Sequence, residues 1–88
     1  MSVSWNHNLN TTEEYEVINS IKFAMTKEWK MKASTAIEII EQKLGGRWSA
    51  IMGKEPNPGG GGCSIIKSPK FLFVVVDDYV WFVWKSNN

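Results

Sequence analysis

The run "FLFVVVDDYVWFVW", Phe71 to Trp84, is apolar at twelve of its fourteen positions. Only Asp77 and Asp78 interrupt it, at its middle. Paired aspartates between β-branched and aromatic runs compose a two-residue turn, so the stretch reads as a tight antiparallel hairpin. Each arm spans about 20 Å at ~3.3 Å per residue. A sheet with one wet face alternates apolar and polar residues along each strand. Neither "FLFVVV" nor "YVWFVW" alternates. Both faces of the hairpin therefore require cover, and no other feature constrains the fold as tightly. The chain has 88 residues, enough for a single domain over 1–88. A domain of that size leaves much of its surface in water.

The rest of the chain offers two helices. "TTEE" opens the first, expected over about 12–28, with Thr11 and Glu14 spaced as a capping box. Ile18, Ile21, Met25 and Trp29 supply its apolar stripe. The second is expected to start at a Ser34 or Thr35 cap and to run along Ala36, Ile40 and Leu44, widened by Ile37 and Ile39. Gly45 and Gly46 end it. A short strand precedes the helices at 3–8. After them come a strand at 47–53, the loop "KEPNPGGGG" and a short strand at 63–68 that stops before Pro69. This order predicts an α+β fold, two helices packed on an antiparallel β-sheet. The helices cover one face of the sheet. A second copy packed sheet against sheet is the expected cover for the other; a ligand groove is the alternative reading of the same bare face. The strand at 63–68 suits a sheet edge, and an open edge takes extended peptides by strand addition.

Charge and motif content narrow the chemistry. Ten basic residues balance nine acidic ones, with no basic stripe of the kind nucleic-acid binders carry. "GGGGCS" lacks the Gly-Lys-Ser/Thr helix start of a phosphate loop. Cys63 and His7 are the lone residues of their types; they form neither a nucleophilic pair with an orienting partner nor a zinc ligand set. Asp77 and Asp78 read as turn residues rather than a catalytic pair. A single cysteine fits a reducing compartment, and "MSVSWNHNLN" does not read as a signal peptide. No enzyme activity, cofactor or metal is expected. Trp29, Trp81 and Trp84 read as core or interface, and Lys27, Lys30 and Lys32 as a solvated cluster near the helix connection.

From Ala33 to Ser86 the chain resembles the dynein light chain family, in its smallest type. "RWSAIMGK" matches that family's Trp-x-x-Ile-x-Gly run through Trp48, Ile51 and Gly53, and Trp84, Lys85 and Ser86 match its aromatic-Lys-Ser terminus. The resemblance implies a strand-exchanged dimer in which Cys63 to Ser68 crosses to the partner's sheet. It implies a non-catalytic hub that binds extended segments of dynein intermediate chains, and so promotes their pairing and motor assembly. The implied peptide-binding residues are Gly62, Cys63, Ser64, Ile65, Ile66 and Lys67 along the strand edge, Phe73, Val75 and Phe82 in the floor, and Lys30 beside the second helix. The implied location is cytoplasm and cytoskeleton, extending to the axoneme of a cilium. Phe73 and Val75 replace the family's usual aromatic hydroxyls, and Ser49 replaces its interface histidine. These departures point to a dedicated partner and to a heterodimer with a related light chain as well as a homodimer. A structural dimer partner without peptide binding and a single-strand nucleic-acid module are the alternatives.

Overall fold

Asn10 sets where the first helix begins. Its backbone is extended (φ −77°, ψ 175°), and its side-chain oxygen accepts from the Glu13 N–H at 2.8 Å. The Glu13 carboxylate reaches back to the Asn10 N–H at 3.0 Å. This is a capping box one residue upstream of the Thr11 and Glu14 pair expected from spacing, and asparagine is the stronger cap. Helix α1 therefore spans Thr11–Ala24. It ends short of residue 28 because the N–H groups of Thr26 and Lys27 turn back to Phe23 and Ala24 at 3.0 Å, and the Thr26 hydroxyl also bonds the Phe23 carbonyl.

Helix α2 spans Trp29–Leu44, starting well before the expected Ser34 or Thr35 cap. Its N-cap is Glu28, which makes no side-chain cap bond. The early start follows from Lys32. Its ammonium donates to the Met25 carbonyl at 2.9 Å and the Lys27 carbonyl at 2.7 Å, and so closes the connection tightly. Trp29 thus belongs to α2 rather than to the stripe of α1, and it is 56% exposed. The expected line of Ala36, Ile40 and Leu44 does face the core. Gly45 and Gly46 both take φ of 75° past the helix end, and a Cβ on Gly46 would lie 3.0 Å from the Lys85 side chain.

The computed structural model describes residues 2–54 and 69–86. The strands in it are β1 (Ser2–His7), β2 (Trp48–Lys54), β3 (Phe71–Val76) and β4 (Tyr79–Lys85). They form one antiparallel sheet in the order β1-β3-β4-β2. The fold is α+β, as expected. Asp77 and Asp78 form the two-residue turn between β3 and β4, with Asp77 in the left-handed region at φ 54°. The expected loop and strand that follow β2, including Cys63 to Ser68, lie outside the described residues.

Both helices pack on one side of this sheet. Val17, Ile21 and Ala24 of α1 and Ala36 and Ile40 of α2 meet Trp48, Leu72, Val74, Val76, Trp81 and Val83. Each large side chain buried there contributes about 1.5–3 kcal/mol relative to exposure. Trp48 also fastens β2 to the end of α2: its N–H donates to the Glu41 carboxylate and its indole N–H to the Gly45 carbonyl, both at 2.9 Å. At the other edge Asn6 bonds the Leu9 backbone and Glu14, which ties β1 to α1.

An ion pair joins the start of α1 to the residue before β3, with the Lys70 ammonium 2.6 Å from the Glu13 carboxylate. Burial alone would raise the Glu13 pKa, but the Lys70 hydrogen bond and charge and the Asn10 N–H together hold it below the ordinary 4.5. A depressed carboxylate stabilises the fold fully above its unfolded value, and that contribution is lost as pH falls through the folded one. Urea denaturation from pH 6 downward should show stability falling below 4.5. Glu13→Gln should be less stable at neutral pH and show a shallower acid dependence.

Candidate functional site

Strand register defines the sheet face opposite the helices. Three cross-strand rows lie on it. The first runs His7, Phe71, Trp84, Ser49. The second runs Trp5, Phe73, Phe82, Ile51, and the third carries Val75, Val80 and Gly53. No Asp, Glu, Lys or Arg occurs in these rows. Phe73 and Phe82 stack with ring centroids 4.4 Å apart. Trp5 meets Phe71 edge to face at 5.0 Å, and His7 lies flat on the same ring at 5.1 Å. Hydrocarbon therefore lines both sides of β3 and β4, as their lack of alternation predicts.

Cover on this face is uneven. Phe71, Val80 and Phe82 are buried within the single chain, although both helices lie on the opposite side. Trp5 and Ile51, at the two ends of the middle row, remain 50% and 53% exposed. The large exposed apolar residues of this face thus sit at its rims rather than across all of it. This corrects the expectation that one chain leaves the whole face bare.

The expected floor residues Phe73, Val75 and Phe82 do come together here. Lys30 does not join them: it is exposed on the first turn of α2, in the helix layer. Gly62, Cys63, Ser64, Ile65, Ile66 and Lys67 lie outside the described residues. Ser49 sits on the first row, with its hydroxyl 3.3 Å from that of Ser86.

Four residues play parts that spacing did not reveal. Val3, Trp5 and His7 alternate as one strand face, but the register shifts between Val3 and Trp5. Val3 pairs with the core residue Val74, whereas Trp5 and His7 join the outer face. The fourth is Lys32, read from sequence as solvated but only 7% exposed. Besides closing the helix connection, its ammonium lies 5.5 Å from the centre of the Tyr79 ring, on which Trp29 also rests at 5.7 Å. Among the described residues no group of three His, Cys, Asp or Glu could hold a metal ion, and no helix is long and apolar enough to cross a membrane.

The chain matches no protein-family model and no curated protein.

Replacing Lys32 by methionine keeps the stem but takes the ammonium donor from the Met25 and Lys27 carbonyls. Lys32→Met should destabilise the fold by about 1.5–3 kcal/mol, the usual worth of hydrogen bonds to a charged group, as read by urea denaturation.

Proposed function

We propose that this chain is a non-catalytic light-chain-type module: a dimer through the sheet face away from the helices, which holds extended segments of a larger partner. The observation that carries this reading is the charge-free outer face, whose exposed rims are Trp5 and Ile51. An apolar face with half-exposed large residues at both ends is a surface that a second copy completes by two-fold symmetry. The element order and the Trp48, Ile51, Gly53 and Trp84, Lys85, Ser86 patterns support kinship with dynein light chains, and so a partner such as a dynein intermediate chain. In this reading the segment Gly62 to Lys67 crosses to the partner copy and offers its edge to the extended peptide, above Phe73, Val75 and Phe82. Bivalency makes modest single contacts useful, because the second strand binds intramolecularly.

Peptide capture by strand addition depends on backbone N–H groups, and proline removes one. Ile65→Pro should therefore weaken capture of an extended partner segment by about tenfold or more, roughly the worth of one or two backbone hydrogen bonds. Pull-down from extract of the organism's axonemal and cytoplasmic fractions, with wild type and variant in parallel, reads this directly. Equal recovery of the same partner by both would contradict strand addition. It would favour a dimer block that serves assembly without binding peptide.

A further inference from the structure

The helix layer carries a second surface, distinct from the sheet face. Where α1 turns into α2, Lys22, Lys27 and Lys30 are all exposed, and so are Phe23, Trp29 and Met31, at 51–56%. Glu28 is the one acidic residue between Lys22 and Lys32. The Lys27 ammonium lies over the Phe23 ring at 4.9 Å, so this lysine and this ring share one patch. Phe23 also forms one wall of a cleft of about 410 Å³ between the helices, together with Tyr15 and Ile39. Glu16, Asn19, Ser20 and Lys43 complete the lining, and the Ser20 hydroxyl already bonds the Glu16 carbonyl at 2.7 Å. The turn is held in shape from below by the buried Lys32. A slot whose apolar part is Tyr15, Phe23 and Ile39 thus opens beside the basic corner.

We infer that this corner and the adjoining cleft dock an acidic partner segment that bears an apolar anchor, the anchor entering beside Phe23 and carboxylates meeting Lys22, Lys27 and Lys30. Charge complementarity selects the acid. The number of lysines selects a peptide over a polyanionic surface. Polybasic segments that bind anionic membranes carry about four to eight lysines or arginines, and nucleic-acid binders contact on the order of six to ten phosphates. Three exposed lysines beside a glutamate fall short of both, but suffice for a few carboxylates whose segment is also anchored by an aromatic or aliphatic side chain. The inference does not rest on the sheet-face reading, since the cleft is lined by helix residues alone.

Calorimetric titration of the full chain at low salt with a short glutamate-rich peptide containing one phenylalanine, and with its glutamine counterpart, tests this. The glutamate peptide should bind about tenfold more tightly, and the difference should shrink at high salt. The double variant K27E/K30E and the single variant F23S should each lose the binding with unchanged circular dichroism, since all three side chains are exposed. Equal affinity for the two peptides, undiminished binding in K27E/K30E, or no binding of either peptide overturns the assignment. So does preference for phosphatidylserine vesicles or for oligothymidylate over the glutamate peptide. Each of these results leaves sheet-face dimerisation to be read separately, by sedimentation.

Discussion

Hydrocarbon on both sides of the β3–β4 hairpin governs the rest of the molecule. On one side Leu72, Val74, Val76, Trp81 and Val83 meet the helices and form the core. On the other lie Phe71, Phe73, Val75, Val80, Phe82 and Trp84, of which Phe71, Val80 and Phe82 are buried within the single chain. The remaining strands extend both layers outward. β1 adds Trp5 and His7 to the outer face, and β2 adds Ile51 there while sending Trp48 into the core. In so short a chain this concentration of apolar side chains in the two central strands is what makes a stable domain possible, and it is also what leaves apolar rims for a partner.

Polar groups fix the geometry that burial alone leaves loose. Hydrophobic burial is non-directional, so it does not decide where a helix starts or how a strand leaves it. Asn10, Lys32 and the Trp48 and Glu41 pair make those decisions, each by satisfying backbone groups at an element end. Trp81 stands apart: its buried indole N–H has no hydrogen-bond partner among the described residues, so its place is set by packing alone. The basic corner at the helix connection follows from the same logic, because Lys32 turned inward leaves Lys27 and Lys30 turned outward.

Much of the fold was legible in the sequence where the signal was periodic or compositional. The two aspartates between unalternating runs marked the hairpin, and Ala36, Ile40, Leu44, Gly45 and Gly46 marked the body and end of α2. The helix starts were not legible from spacing. Thr11 and Thr35 have helix-cap chemistry, but Asn10 is the better cap, and a lysine acting from a distance accompanies a second start nearly two turns early, with its cap at Glu28. The sense of Trp5 was hidden too, because a register shift in β1 reverses the alternation that pattern reading assumes. Of the candidate site, Phe73, Val75 and Phe82 were expected together from the resemblance, and the β3–β4 register does put them on one face. Long-range register brought in Trp5, His7 and Ile51, which local patterning does not encode. The Cys63 to Ser68 edge, read from its shortness and from Pro69, lies outside the described residues.

The central claim is that the rims of the outer face are completed by a second copy. Sedimentation equilibrium over a wide concentration range, on wild type and on Ile51→Glu, tests it most directly. Ile51 is half exposed in the single chain, so a glutamate there leaves the protomer folded while placing a charge on the apolar face. The account predicts a wild-type dimer and a folded, monomeric variant. A wild-type protein that stays monomeric at every concentration, or a variant that dimerises as tightly as wild type, would contradict it.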